Sequence, residues 1–159
     1  MKFYICLHKS LVMKNAIKGE ASMVVDAPRE VVFDALTNPG QIKKYFFGTE
    51  AVSDWKVGSP LYFRGEWEGK KYEDKGTILE KKDGELLKYN YWSSMSGIED
   101  KPENYVVITY ALSEILGKTR VTITQENIPS EEMRIHSEEN WTRVLGDLKN
   151  LLERNVTAY

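Results

Sequence analysis

Gln125 is the polar residue of this chain whose position carries the most chemical meaning. It closes a run in which Val121, Ile123 and Gln125 alternate with Arg120, Thr122 and Thr124, so a period of two sets its amide on the apolar face. An amide turned inward must find a partner. A ligand, Tyr110 or a buried water would serve, and a satisfied structural amide or a solvated strand end is the plainer reading. Asp74 shares the inward face of its strand with Gly76 and Ile78 if alternation is strict. A carboxylate placed there could act as an acid or base. The flanking Lys70-Lys71-Tyr72-Glu73-Asp74-Lys75 reads more simply as an exposed, charged hairpin arm. His8 lies near the start of the chain, and His136 stands among Glu138 and Glu139. Neither has a second histidine or cysteine at ligand spacing, so no metal is expected. Cys6 has no candidate base beside it in the sequence. Nucleophile elbow, P-loop and dinucleotide fingerprint are all missing. No cofactor and no catalytic residue is expected.

Composition narrows the classes further. A length of 159 residues suits one domain, and 42% hydrophobic with 29% charged residues is ordinary for a globular protein. The net charge is -2, and no basic block is long enough to track a phosphate backbone, so nucleic acid is a poor partner. A single cysteine excludes an internal disulfide and suits a reducing compartment, the cytoplasm. Residues 1–12 are apolar-rich but too short to span a bilayer, and they lack a small-x-small cleavage site. They are expected to form an extension outside the core, with the domain running over 13–159. An added edge strand is the alternative.

The pattern along the chain predicts the supporting elements. Ile17, Gly19, Ala21, Met23 and Val25 alternate as one face of a strand. Pro28 and Glu30 open a helix with Val32, Phe33 and Leu36 on its apolar stripe. Asn38-Pro39-Gly40 breaks it, and a second short helix is expected from about Gly40 to Phe46. Strands follow with Leu61, Phe63, Gly65 and Trp67 on one face, then from about Lys71 to Lys82. After the turn signal Lys82-Asp83-Gly84 come Leu87, Tyr89 and Tyr91, a polar loop over 93–104, and Val106, Ile108, Tyr110 and Leu112. Gly117-Lys118 turns the chain into the Gln125 strand. Ser130 is the expected N-cap of a long helix with Trp141, Val144, Leu145, Leu148, Leu151 and Leu152 at helical spacing.

This order resembles the START-like helix-grip superfamily, and its residues look like the branch of the activator of the heat shock protein 90 ATPase. The matches are Val25-Asp26-Ala27-Pro28 through Phe33-Asp34-Ala35-Leu36-Thr37-Asn38-Pro39, Trp55-Lys56-Val57-Gly58-Ser59, and Gly76-Thr77-Ile78-Leu79-Glu80. Leu87-Lys88-Tyr89 and Asn140-Trp141 through Leu145-Gly146-Asp147-Leu148 to Leu151-Leu152-Glu153 complete them, over about Ala16 to Glu153. The resemblance implies an α+β fold in which a curved antiparallel sheet of six to seven strands wraps around a long C-terminal helix, with two short helices after the first strand. Asn140 stands where the family often has glycine, and Tyr91 where it often has tryptophan. Both departures fall near the expected pocket.

Given that fold, the alternation aims Phe63 and Trp67, Tyr89 and Tyr91, Ile108 and Tyr110, and Ile123 and Gln125 toward the last helix. That helix presents Trp141, Leu145 and Leu148. These residues are the candidate lining of a cavity for a small hydrophobic or aromatic molecule, and a solid aromatic core is the alternative. The expected function is therefore a cytoplasmic small-molecule-binding module, monomeric or homodimeric, with no membrane or nucleic-acid partner. The alternatives are a protein-interaction domain of the cochaperone type and a cyclase- or dehydratase-like enzyme using Gln125, Tyr89 or Tyr110. The chain is too short to carry the chaperone activator's separate N-terminal domain as well, which weighs against a chaperone-stimulating role.

Overall fold

The computed structural model describes residues 14–157, with side chains through Arg154. The proposed extension over 1–12 lies outside the described residues. Strand β1 (Ile17–Val25) leads into helices α1 (Arg29–Thr37) and α2 (Pro39–Tyr45). Strands β2 (Glu50–Val52), β3 (Pro60–Trp67), β4 (Lys70–Lys82), β5 (Leu86–Tyr91), β6 (Val106–Ile115) and β7 (Lys118–Ile128) follow, and helix α3 (Glu131–Thr157) closes the chain. The seven strands form one antiparallel sheet in the order β1-β7-β6-β5-β4-β3-β2. This is the expected helix-grip architecture.

Local chemistry explains the boundaries. Asn38 ends α1 in an extended conformation before Pro39, and its side chain accepts from the Gly40 N–H to start α2. Ser130 Oγ accepts from the Met133 N–H at 3.2 Å, capping α3. Leu116 and Gly117 both take positive φ in the two-residue turn between β6 and β7, whose twist matches that of the strands it joins.

The core lies between the sheet and the helices. Val25, Leu61, Ile78, Leu87, Val121 and Ile123 meet Val32, Leu36, Leu145 and Leu148, all at most 4% exposed. Gly19 lets α3 approach β1 closely, since a Cβ there would stand 3.3 Å from Glu138 Cγ. Helix side chains also satisfy the outer edge of β1. Glu138 accepts from the Glu20 N–H, Glu153 accepts from the Asp26 N–H just beyond the strand, and Lys149 donates to the Val24 carbonyl. An open sheet edge is thereby covered.

Strand β4 is where the sheet bends. Its first half pairs with β3 and its second half with β5, with a register shift between Ile78 and Glu80. At the changeover the Asn90 carbonyl presses onto Gly76, where a Cβ would sit 1.8 Å from that oxygen. The Asn90 side chain accepts from the Thr77 N–H at 2.8 Å and fixes the crossing.

Candidate functional site: a cavity between sheet and helix

Helix α3 rests chiefly on β1 and also touches β7 and α2. The far strands of the curved sheet are left with open space between them and the helix. That space is a cavity of about 570 Å³, within the usual size range of small-molecule sites.

Five aromatic rings form a closed circuit of contacts, and four of them, Phe46, Phe63, Tyr89 and Trp141, line the cavity. Phe46 meets Phe63 at 5.5 Å between centroids, Phe63 meets Tyr89 at 5.9 Å, and Tyr89 meets Tyr110 at 5.9 Å. Tyr110 then meets Trp141 edge-on at 5.9 Å, and Trp141 returns to Phe46 at 5.8 Å. Tilted and edge-on pairs at these separations favour one another beyond their buried area. Tyr91 joins the circuit through Phe63 at 5.8 Å.

Polar groups punctuate this wall. The Trp141 indole donates to Gln125 Oε1 at 2.7 Å. An indole N–H only donates, so the Gln125 oxygen must face it and the amide NH2 points the other way. Tyr91 donates its hydroxyl hydrogen to Asp74 Oδ2, while Ser94 donates to Oδ1 from its backbone N–H at 2.9 Å and from its hydroxyl at 3.2 Å. Burial and the neighbouring Asp74 carboxylate push the Tyr91 phenol well above its ordinary pKa. The Tyr89 and Tyr110 hydroxyls share a hydrogen bond at 3.0 Å, and burial raises both phenols. Thr49 and Tyr72 pair at 2.5 Å, with the Tyr72 ring lying over Gly65.

Of the residues expected at this site, Phe63, Trp67, Tyr89, Tyr91, Ile108, Gln125 and Trp141 line the cavity. Tyr110, Ile123, Leu145 and Leu148 do not. They sit behind the wall at 5% exposure or less, filling the layer where α3 presses onto the sheet. Trp67 is corrected in another way: at 59% exposure it stands at the tip of the β3–β4 hairpin and rims the mouth instead of facing inward. Phe47 and Met95, 51% and 48% exposed, flank the same opening. Asp74 does not belong to an exposed arm, since it is 6% exposed and reaches the cavity.

Other lining residues were not anticipated. Val144 and Ser137 lie one turn to either side of Trp141 on α3, and Tyr72 lies two residues before Asp74 on β4. Helical and strand periods mark these three. Phe46, Phe47, Thr49 and Met95 come from chain between the helices and strands, which has no period to read. Asn140 and Arg143 flank Trp141 on the exposed side of α3. Among the described residues there is no cluster of histidine, cysteine and carboxylate side chains able to hold a metal ion. No helix among them is long and apolar enough to cross a membrane.

The indole–amide bond makes a direct test. Trp141→Phe keeps a ring but leaves the Gln125 oxygen without its donor, and a loss of about 1–2 kcal/mol in urea unfolding is expected. An unchanged midpoint would show that Gln125 is satisfied without the indole.

Comparison with known proteins agrees with this architecture. Protein ChR145 from Cytophaga hutchinsonii is 44% identical, with 91% of this chain and 99% of that one aligned at a TM-score of 0.79. The Aha1 dimer from Colwellia psychrerythraea is 19% identical, covers 86% and 96% of the two chains and has a TM-score of 0.68. DynU16, from the dynemicin biosynthetic locus, is 14% identical at a TM-score of 0.71, over 86% of this chain and 47% of that one. The last two show a shared fold alone. No functionally curated protein matches. The model of the Activator of Hsp90 ATPase homolog 1-like protein family matches residues 26–153, and the chain belongs to that family.

Proposed function

We propose that this protein is a cytoplasmic binding module that holds a small hydrophobic or aromatic molecule between the sheet and α3. The observation that carries this reading is the cavity of about 570 Å³, open at one mouth and lined largely by aromatic rings with a few polar tips. Such a lining contributes apolar contact area and leaves orientation to sparse hydrogen bonds. A cyclase- or dehydratase-like reading is less well supported. Gln125 is held by Trp141, and the Tyr89 and Tyr110 hydroxyls are held by each other. A cochaperone-type reading draws on the family description and on the apolar rim of Phe47, Trp67 and Met95.

Aminoanthracene, a neutral fluorescent probe, is expected to bind the native protein saturably at about one site per chain. Val144→Trp fills the cavity from α3 and should weaken that binding at least tenfold while the protein stays folded. Ile123→Phe and Leu145→Trp act in the solid layer and should instead overpack it, at about 1–3 kcal/mol. Probe fluorescence that rises only near the unfolding transition would overturn the cavity reading. Native mass spectrometry of protein from its own host separates the alternatives, since a retained small molecule supports the module and a co-purifying chaperone the interaction domain. The same spectrum reads out monomer or homodimer.

A further inference from the structure

Two charged groups at the cavity lack an ion-pair partner among the described residues, and they stand on different walls. Asp74 is 6% exposed. Lys75, the next residue, is committed to Asp100 at 2.6 Å, and Arg64, beside the β3 partner of Asp74, to Glu73 at 2.7 Å. Neither Lys70 nor Lys71 forms an ion pair with it among the described residues. Among the described residues the Asp74 oxygens accept only from Tyr91 and Ser94. A buried carboxylate satisfied by neutral donors alone still favours a further donor, and a cationic one most. Because Tyr91 spends its hydrogen on Asp74, its phenol oxygen can only accept, and the Ser93 hydroxyl takes up part of that capacity. This end of the cavity therefore asks for a hydrogen-bond donor.

The other wall has the opposite polarity. Arg143 lines the cavity from α3 and has no ion-pair or hydrogen-bond partner among the described residues. The Gln125 oxygen is occupied by the indole, so the group it has left to offer is its NH2. Both are donors, and a guanidinium matches a carboxylate through paired N–H bonds. Gln125 on β7 and Asp74 on β4 are three strand steps apart across β6 and β5, roughly 14 Å across the strands, and the register sets Gln125 level with Ile78, four residues along β4 from Asp74. Between them lie the aromatic wall and Ile108.

We infer that the ligand is a bipolar amphiphile, with an ammonium or hydroxyl group at Asp74, a carboxylate at Arg143, and an apolar body of about two rings between them. The inference rests on the cavity reading and specifies it.

Displacement of aminoanthracene by a matched biphenyl series tests it. The series comprises biphenyl, its para-hydroxy and para-carboxylate derivatives, and biphenyls with a carboxylate at one end and a hydroxyl or aminomethyl group at the other. The two-ended compounds are expected to bind at least about tenfold more tightly than biphenyl. Arg143→Gln, at an exposed position, should erase the gain that the carboxylate gives over biphenyl. Asp74→Asn should erase the gain from the aminomethyl group, with the thermal midpoint as a check on folding. Equal displacement by all members would overturn the bipolar ligand while leaving the cavity reading intact. So would a carboxylate preference that survives Arg143→Gln. Failure of aminoanthracene itself to bind would overturn the cavity reading and this inference with it.

Discussion

Gly76→Ala is expected to destabilise the protein by at least about 3 kcal/mol, well beyond an ordinary glycine substitution in a strand. The new methyl group would occupy a point 1.8 Å from the Asn90 carbonyl oxygen. That oxygen belongs to backbone, which cannot swing aside as a flexible side chain would. Relief requires β4 and β5 to separate at the place where β4 changes partners, with loss of the Thr77–Asn90 hydrogen bond. Overpacking typically costs about 1–3 kcal/mol, and more where backbone must move. For a chain of this length the midpoint should fall by roughly 6–12 °C. Calorimetry with Gly48→Ala as a comparison, at a glycine whose added Cβ meets nothing within 4 Å but whose φ of 71° strains alanine, gives the cost of backbone strain alone, which the clash at Gly76 should exceed. A Gly76→Ala loss no larger than that of Gly48→Ala would mean the bend at β4 absorbs a side chain.

Alkali should unfold the protein cooperatively. Tyr45, Tyr89 and Tyr110 are 3%, 2% and 5% exposed, and burial raises all three phenols above their ordinary range. The unfolded chain ionises them near pH 10, and the native protein does so only at higher pH. Their contribution to stability is therefore complete below pH 10 and is lost as pH rises toward the raised native values. Each costs about 1.4 kcal/mol per pH unit above 10, so the three together remove roughly 4 kcal/mol by pH 11, a large share of typical domain stability. Phenolate absorbance and far-ultraviolet circular dichroism, followed together, should show the buried phenols ionising in the same step as loss of the sheet. All nine tyrosines titrating near pH 10 ahead of unfolding would contradict this.

The fold was legible because its elements keep their periods. The alternation through Ile108, Tyr110, Ile123 and Gln125, and the stripe from Trp141 to Leu152, place most of the sheet and the last helix without further information. The cavity was legible only in part, since period tells which face a residue takes and not whether a partner covers it. Leu145 and Ile108 share that inward orientation, yet α3 presses Leu145 onto the sheet and leaves Ile108 facing space. The angle of α3 decides this, and it depends on close contacts such as that at Gly19. Asp74 was obscured by its charged neighbours, because composition outweighed alternation there although alternation was correct. Trp67 failed the other way, its alternation running past the end of the covering helix.

The edge of β1 has a consequence for how the chain acquires its structure. The first strand pairs with the last, and the groups along its outer edge are taken up by Glu138, Lys149 and Glu153 of the terminal helix. During synthesis β1 must wait for more than a hundred residues before either edge is satisfied. The hairpins β3–β4 and β6–β7 close over short loops, whereas the joining of β1 to β7 carries the entropic cost of closing a very long one. Topologies of this kind fold in milliseconds to seconds. The nascent chain thus carries an unpaired strand until β7 emerges and an uncovered outer edge until α3 follows, and Lys18 and Glu20 place charge on that strand in the interval.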